Sequence, residues 1–275
     1  MQLEAPEEYK VIVIVVDNDN VETARDIVEN VKNSSKYNII YVVEAIRGIA
    51  SARNRLLGEA IKHDAEFIGF IDDDEFPHSN WLTSHITTLH KYDVDIVAGP
   101  VIPTFETTPS NDIKIDIKHS TGHIPRNIAA GNVMFKTILV VKDKLKFNTY
   151  YNFIGGEDFD FFDQADNRGY SKVWNADAII YETIPEDRRT KKYLFFRHFT
   201  GAINNVVYYK SKKNTLSAWP HFLIKAFGKF VGAFIDLILF IFTLNKGKLD
   251  KSIVKLASTI GYLSGLLNII VERYR

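Results

Sequence analysis

Apolar and polar positions along the first hundred residues alternate between two periods. Short continuous apolar runs, typical of strands covered on both faces, are followed by segments with amphipathic helical spacing. The runs predict strands at 11–16, 39–43, 66–71 and 95–101. The intervening segments predict helices at 21–32, with Asn20 as N-cap, at 51–63, and from about Ser79. Strands and helices alternating in this way predict an α/β fold with a mostly parallel sheet flanked by helices.

The pattern becomes irregular after this series. Residues 102–127 contain three prolines and predict a long loop, and 127–136 predict a further strand. Gly155–Gly156 then predict a turn that leads into a helix.

Four consecutive carboxylates, Asp72 to Glu75, follow the apolar run at 66–71. Two unit charges about 4 Å apart repel by roughly 4 kcal/mol at an effective dielectric constant near 20. Asp17 and Asn18 follow the first strand in the same way, and ligands of open α/β sheets bind outside the carboxyl ends of the strands. The two strand ends therefore predict a binding site, with a solvated acidic surface loop as the alternative.

A second acidic segment begins at Glu157 and Asp158, in the first turn of the helix after Gly155–Gly156. The helix dipole alone favours acids there, but Asp160 and Asp163 bring more charge than capping needs. Mg²⁺ and Mn²⁺ prefer oxygen ligands, often one or two carboxylates with substrate phosphates, and a separate carboxylate is able to act as a general base. Together the two segments indicate transfer from a nucleotide-activated donor.

The composition of the chain excludes one class of site and argues against one class of partner. The chain has 275 residues, no cysteine, and 34 basic against 34 acidic side chains. The absence of cysteine excludes disulfides and thiolate metal sites, and the balanced charge argues against a nucleic-acid partner bound through a general basic field.

Three stretches resemble the inverting GT-A glycosyltransferases of family two: VVDNDN (15–20), FIDDDE (70–75) at the family's D-x-D motif, and GGEDFDFF (155–162) at its E-D motif. Further matches, RGIASARNRLLGEA, VAGPV and YETIPEDRRT followed by FFRHFTGA, point to its bacterial exopolysaccharide branch, of the succinoglycan type. The similarity covers residues 11 to about 205, and the order and spacing of the motifs make it specific.

The resemblance implies a role for each matching residue. It places Mn²⁺ or Mg²⁺ on Asp74 and Asp72, and it implies Asp158 as the base, with Glu157 beside it in the catalytic motif. It assigns to the nucleotide sugar, most simply a UDP-hexose such as UDP-glucose, the residues Asp17, Asn18, Arg53, Asp72 and Asp73. The acceptor would be a polysaccharide or a lipid-linked oligosaccharide.

Three arginines are weaker candidates for binding the acceptor or a diphosphate: Arg188, Arg189 and Arg197. A basic surface facing a membrane is the alternative. Leu194 and His198 replace the Gln and Trp of the processive enzymes' Q-x-x-R-W motif around Arg197, so processive polymerisation is not indicated.

The resemblance starts at the family's second strand, so the glycosyltransferase domain at 1–209 is expected to lack the first strand and helix. Two rival functions follow. One is a nucleotide-sugar-binding remnant with impaired catalysis, and the other is a hydrolase that uses a carboxylate pair without a metal.

Residues 210–275 predict a hydrophobic helical tail. Its apolar segments, 230–244 and 252–271, each contain one charge, Asp236 and Lys255. Gly261 and Gly265 predict close packing of the second segment on the first. Basic residues stand before, between and after the segments: Lys210, Lys212, Lys213, Lys246, Lys248, Lys251, Arg273 and Arg275. This arrangement predicts helices lying on the cytoplasmic face of the membrane, with a soluble helical subdomain as the alternative.

Overall fold

The computed structural model describes residues 3–105, 117 and 119–272. The chain separates into two compact units. One contains the residues up to 152 together with 157–183, and the other contains 153–156 together with 184 onwards.

The first unit carries all the strands of the described residues, in three small sheets. The strands are β1 (Ile12–Asp17), β2 (Asn38–Val43), β3 (Phe67–Phe70), β4 (Glu75–Pro77), β5 (Ile96–Ala98), β6 (Val101–Thr104), β7 (Val133–Lys136), β8 (Lys172–Trp174) and β9 (Ile180–Thr183). Its helices are α1 (Arg25–Ser34), α2 (Ile49–Lys62), α3 (Trp81–Tyr92), the short α4 (Ile138–Val141) and α5 (Glu157–Asn167).

Strand pairing is mixed. β1 and β2 pair in parallel, the central sheet has the order β3-β7-β5-β8, and a third sheet has the order β4-β9-β6. In the central sheet β3, β5 and β8 run in one direction, and β7 lies antiparallel between β3 and β5. β9 is antiparallel to β4 and parallel to β6. The α/β fold is therefore confirmed, but the described pairings divide equally between parallel and antiparallel. β7 follows a long connection, which leaves it free to enter the sheet from the opposite end.

The core lies on both faces of the central sheet. Ile96 and Phe135 belong to one buried cluster, whereas their chain neighbours Val97 and Met134 belong to the other. Successive side chains of a strand point to opposite faces, so continuous apolar runs suit β5 and β7. β1 is only half-buried over most of its length, because among the described residues it pairs with β2 alone.

The start of the first helix differs from the prediction. α1 begins at Arg25 rather than Val21, and Asn20 is not its N-cap. Asp17 contributes to this later start. Its Oδ2 accepts the backbone N–H of Ala24, the residue directly before α1, at 2.9 Å. The first residues of the predicted loop at 102–127 belong to strand β6. Residues 106–116 and 118 of that loop lie outside the described residues.

The second unit is built from three long helices: α6 (Lys191–Lys212), α7 (Thr215–Thr243) and α8 (Lys246–Leu266). The sequence predicts that Gly261 and Gly265 of α8 allow close packing on α7. The prediction is wrong about the partner helix, because both glycines lie against α6. A Cβ on Gly261 would stand 2.3 Å from the carbonyl oxygen of Phe199, and one on Gly265 would stand 2.8 Å from Cβ of Val206.

α7 and α8 are joined by polar contacts. Asp236 of α7 is buried, its Oδ2 lies 2.6 Å from Lys255 Nζ and its Oδ1 3.8 Å from Lys248 Nζ. The hydroxyl of Ser252 donates to the carbonyl of Ala233 at 2.9 Å. The charge that interrupts the apolar segment in the sequence is therefore turned towards α8.

The predicted boundary at residue 209 moves to 183, because α6 packs with the helices of the tail. The second unit also takes in residues 153–156, which directly precede the acidic turn of α5. There the side-chain amide of Asn204 in α6 donates to the carbonyl of Ile154.

Much of the surface of α7 is apolar and exposed. Ile224, Phe227, Phe234 and Phe242 are each more than half exposed. Among the described residues, α7 is the one helix long and apolar enough to cross a membrane, judged by length and composition alone. Arg273 and Arg275 lie outside the described residues.

Candidate functional site

The acidic run forms a closed turn between β3 and β4. The backbone N–H of Glu75 donates to the carbonyl of Asp72 at 3.2 Å, and Glu75 Oε2 accepts the N–H of Asp72 at 2.9 Å. The carbonyl of Asp74 accepts the N–H of Thr183 at 3.0 Å, which fastens the turn to β9. Asp73 is exposed, and Asp72 and Asp74 are half-buried. The predicted metal and nucleotide carboxylates thus stand at a strand end with their backbone fixed.

Arg53 joins this turn to the second acidic segment. It projects from α2 with only 7% of its side chain exposed. Its Nη2 lies 3.1 Å from Asp72 Oδ1, and its Nη1 forms an ion pair with Glu157 Oε1. Among the described residues nothing hydrogen-bonds to the buried Oε2 of Glu157. Burial of a guanidinium is tolerated when it is paired, and here two carboxylates from distant parts of the chain pair with it.

A single turn of 3₁₀ helix, Ala130–Asn132, lies between the two acidic segments. The backbone N–H of Ala130 lies close enough to the carboxylate of Asp158 to favour its charged form, which opposes the rise of its pKa. A Cβ on Gly131 would stand 2.7 Å from Glu75 Oε1 and 3.2 Å from Asp72 Oδ2. The turn therefore contacts the predicted base on one side and the acidic turn on the other.

Burial makes these carboxylates weaker acids than usual. Burial first, and then the charges of Asp72, Glu182 and Asp74, raise the pKa of Glu75 to about 8, against the opposing effect of the hydrogen bond from the backbone N–H of Asp72. Burial also raises the pKa values of Glu157 and Asp158, and the Arg53 guanidinium acts in the opposite direction on both. The site thus holds more negative charge than Arg53 balances, and this excess favours cation or proton binding.

Asp17 and Asn18, predicted at the nucleotide, make structural hydrogen bonds. Asp17 is buried, and its Oδ2 accepts the hydroxyl of Tyr41 at 2.7 Å. Asn18 donates to the carbonyls of Glu44 and Ile46, and its Oδ1 accepts the N–H of Gly48 at 2.7 Å. Gly48 directly precedes α2, so Asn18 ties the end of β1 to the helix that carries Arg53. Nucleotide contacts by Asp17, Asn18, Arg53, Asp72 and Asp73 stay a prediction.

The metal assignment is also untested. In the described part of the chain no group of three or more His, Asp or Glu side chains is placed to hold a metal ion. Mg²⁺ commonly needs only one or two protein carboxylates, because substrate phosphates and water complete its oxygen shell. Asp72 and Asp74, half-buried in one turn, fit that donor set, and Asp72 also pairs with Arg53.

The three arginine candidates lie in the second unit. Arg188 and Arg189 belong to a 3₁₀ turn at Glu186–Arg189, and Arg197 is exposed on α6. Arg189 Nη1 lies 3.3 Å from Glu186 Oε1. Their predicted role in binding the acceptor or a diphosphate stays a prediction.

Two residues of the site make contacts that the sequence does not indicate. Glu75 was part of the acidic run, but nothing in the run distinguishes a carboxylate that folds back onto its own backbone. Asn132 is buried at the end of the 3₁₀ turn, where its side chain makes four hydrogen bonds. An isolated asparagine carries no sequence signal for such a network.

Comparison with known proteins gives consistent results. The family description "Glycosyl transferase family 2" matches residues 2–160. The succinoglycan biosynthesis protein ExoM of Rhizobium meliloti is 28% identical over 203 residues, covering 72% of this chain and 64% of ExoM. The glycosyltransferase AglE of Haloferax volcanii is 26% identical over 173 residues, covering 61% of this chain and 55% of AglE. The chain thus spans less than two thirds of both relatives.

Solved structures of Staphylococcus aureus TarS share the fold. TarS 1–349 in complex with UDP-GlcNAc superposes with a TM-score of 0.53 at 17% identity, covering 72% of this chain and 59% of that one. The complex with UDP gives a TM-score of 0.51 at 15% identity, covering 97% and 83%. At this identity the likeness establishes the fold.

Proposed function

Since this chain belongs to glycosyl transferase family 2, we propose that it transfers a hexose from a nucleotide-sugar donor to a polysaccharide or lipid-linked oligosaccharide, with inversion at the anomeric carbon. One observation carries the proposal: Arg53 pairs with Asp72 and with Glu157, and so brings the acidic turn and the acidic helix start into one site. The names of two similar proteins, a succinoglycan biosynthesis protein and a UDP-GlcNAc complex, support the acceptor and the UDP-sugar donor.

The acidic turn is suited to the donor diphosphate. Asp74 and Asp72 would hold Mn²⁺ or Mg²⁺ there, and the cation would offset the charge on the leaving nucleoside diphosphate. Asp73, exposed in the same turn, would contact the ribose, and Asp17 and Asn18 would face the base.

Asp158 is suited to serve the acceptor. Its carboxylate is half-buried, its Oδ1 accepts the N–H of Phe159 at 2.8 Å, and the N–H of Ala130 lies nearby and favours its charged form. In the proposed step the acceptor hydroxyl oxygen forms a bond to the anomeric carbon as the bond from that carbon to the phosphate oxygen breaks. The hydroxyl proton passes to Asp158, and the nucleoside diphosphate leaves. The ion pair of Glu157 with Arg53 assigns Glu157 a supporting role beside the base.

The second unit is suited to a membrane surface. Its longest helix exposes apolar side chains including Ile224, Phe227 and Phe242, and Asp236 is withdrawn into an ion pair. Lysines lie at the start of α8 (Lys246, Lys248 and Lys251) and at the end of α6 (Lys210 and Lys212). Such helices bind in the interfacial region of anionic membranes, where lipid-linked acceptors reside. We therefore place the enzyme on the cytoplasmic membrane face.

The proposal is tested by transfer assays with full-length protein, a panel of UDP-hexoses, Mn²⁺ and a lipid-linked acceptor extract. Asp158→Asn should lower turnover by about 10²-fold or more, the size of general-base effects, and should retain nucleotide binding in calorimetry. Asp163→Asn, on the same helix, is the matched control and should retain turnover. Asp74→Asn should abolish the metal-dependent part of nucleotide binding.

Each alternative gives a different result. UDP binding without transfer to any acceptor would indicate a binding protein with impaired catalysis. Cleavage of a glycan without nucleotide or metal would indicate a hydrolase. Near-normal turnover in Asp158→Asn would rule out this residue as the base.

A further inference from the structure

The turn Ala130–Asn132 touches both halves of the candidate site within three residues. The backbone N–H of Ala130 lies close enough to the carboxylate of Asp158 to favour its charged form, and the backbone at Gly131 lies against the carboxylates of Asp72 and Glu75. A shift of this turn would therefore change the position of the base relative to the acidic turn. What fixes the turn also fixes that spacing.

The side chain of Asn132 fixes it, and only 2% of this residue is exposed. Its Oδ1 accepts Trp81 Nε1–H at 2.8 Å and hydrogen-bonds with His85 Nε2 at 3.0 Å. Its Nδ2 donates to the carbonyls of Pro100 at 2.9 Å and Ala178 at 2.7 Å. One amide thus joins the turn to α3 and to two loops, and it uses both of its acceptor sites and both of its donors.

The surroundings of Asn132 leave no room for a different group. The backbone carbonyl of Asn132 accepts the N–H of Gly99 at 3.1 Å, and a Cβ on Gly99 would stand 2.7 Å from Asn132 Nδ2. An aspartate here would direct a carboxylate oxygen at two carbonyl oxygens. An alanine would remove the partner of Trp81 Nε1, of His85 Nε2 and of the Ala178 carbonyl, and the Pro100 carbonyl would keep only the N–H of Ile180.

We propose that Asn132 is a positioning residue for sugar transfer, which holds the turn Ala130–Asn132 so that Asp158 stands at a fixed distance from the acidic turn. This inference rests on the proposed function. It assigns no substrate contact to Asn132, which acts through the backbone of Ala130 and Gly131. Displacements of about 1 Å in a supporting shell are enough to lower turnover by about 10²-fold.

The test compares three variants of the full-length protein at a temperature where each is folded. Asn132→Ala removes the network, and Trp81→Phe removes one of its four hydrogen bonds but retains most of the ring volume. Leu145→Ala opens a cavity at a fully buried position of the same unit and serves as the destabilised control. The measurements are turnover per folded molecule, KM for the donor, and hydrogen exchange of the Ala130 amide by NMR.

Asn132→Ala should lower turnover at least about tenfold with the donor KM changed less than about threefold, and the Ala130 amide should exchange at least about tenfold faster. Trp81→Phe should also lower turnover and speed exchange of the Ala130 amide, each by a smaller factor. Leu145→Ala should lower the melting temperature and leave turnover per folded molecule and Ala130 exchange unchanged.

Two results would overturn the role of Asn132: turnover equal to that of Leu145→Ala after correction for folded protein, or unchanged exchange at Ala130. If Asn132→Ala does not fold, Trp81→Phe decides the question, and unchanged turnover and exchange in that variant overturn the role. Absence of transfer by the wild-type protein is a separate result, because it overturns the proposed function, whereas the exchange measurement still reports whether Asn132 fixes the turn.

Discussion

Arg53 is a buried cation whose stability depends on its two carboxylate partners. Glu157 is the more buried partner, with 4% of its side chain exposed against 44% for Asp72. Removing one member of a buried pair leaves an uncompensated charge and typically costs about 3–5 kcal/mol, whereas replacing both members by apolar groups is often neutral.

We therefore expect Arg53→Met to lower the free energy of unfolding by about 3–5 kcal/mol, because Glu157 is left buried without its cation. The double variant Arg53→Met, Glu157→Met should recover most of that loss and remain inactive. Urea unfolding of the wild type, both single variants and the double variant gives the coupling energy. Additive losses would show that the two side chains do not stabilise each other.

His85 gives the protein a pH dependence of its own. Burial lowers its pKa to about 4, opposed by the hydrogen bond to Asn132, whereas an unfolded histidine titrates near 6.5. Above pH 6.5 both states are neutral at this position. As the pH falls towards 4 the unfolded state binds a proton that the folded state does not, so stability is lost over this window.

The loss between pH 6.5 and 4 should amount to roughly 3 kcal/mol, at about 1.4 kcal/mol for each pH unit. His85→Gln retains a donor for Asn132 but does not titrate, so its stability should fall less over the same range. Urea unfolding at pH 7, 6 and 5 measures the difference between the two slopes. Identical slopes would show that His85 titrates alike in the folded and the unfolded protein.

Much of the site could be predicted at the residue scale, because strand ends and helix starts are readable in the sequence. The sequence predicts one site from the acids of 72–75 and of 157–158, and the structure pairs one acid of each segment, Asp72 and Glu157, with Arg53. The roles of these acids stay predictions. The ion pair of Arg53 with Glu157 spans 104 positions, and the network of Asn132 reaches residues up to 51 positions away. Such contacts depend on how the elements pack, and no local pattern encodes them.

At the scale of elements, the close approach of α8 to α6 depends on Gly261. A Cβ there would stand 2.3 Å from a carbonyl oxygen of α6 and 2.7 Å from Cβ of Ala202, and backbone cannot yield as a flexible side chain does. By contrast, a Cβ on Gly228 of α7 would meet nothing within 4 Å.

We expect Gly261→Ala to destabilise the second unit by about 1–3 kcal/mol, the cost of overpacking. Gly228→Ala, the matched control, should be neutral or should stabilise by up to about 1 kcal/mol, because alanine favours the helix. Thermal unfolding followed by circular dichroism in mild detergent compares the two. A Gly261→Ala variant as stable as the wild type would show that α6 and α8 can separate without cost.

Length decides which elements the sequence reveals. The longer apolar runs and amphipathic segments were predicted near their observed positions, among them β2, β3, β5, α2 and α3. β3 and β5 are themselves short, but each lies within a longer apolar run, at 66–71 and 95–101. β4, β8 and β9 have three or four residues each and belong to no run of that length, so they show no period and are strands because partners pair with them. The antiparallel direction of β7 has no sequence signal, because it is defined by the pairing with β3 and β5 and not by the residues of β7 itself.

At the scale of the whole molecule, the tail is expected to lie on a membrane surface rather than to cross the bilayer. α7 has 29 residues, and at 1.5 Å per residue it measures about 44 Å, so length alone allows a span. The longest stretch of α7 in which Asp236 is the sole charge is shorter than the whole helix. Lys229 precedes this stretch and Lys246 follows it. We expect both helices to lie in the cytoplasmic interface.

In sealed inverted vesicles, protease should therefore cleave a tag inserted after Lys248 as readily as a tag at the C-terminus. Flotation with vesicles containing anionic lipid should weaken as salt rises, because the lysines contribute about 1 kcal/mol each at an anionic surface. Protection of the Lys248 tag alone would indicate a spanning hairpin. A chain that stays in the supernatant at low salt would argue against membrane association.

The hydrogen bond from Asn204 to the carbonyl of Ile154 has a practical consequence for expressing this enzyme. Hydropathy suggests cutting the chain near residue 209 to obtain a soluble catalytic fragment. That cut would strip α6 of the helix that covers Ala202 and Val206, and a cut before α6 would release the segment leading into Glu157 and Asp158. The tail is thus not a detachable anchor, and biochemical work should begin with the intact protein in detergent or nanodiscs.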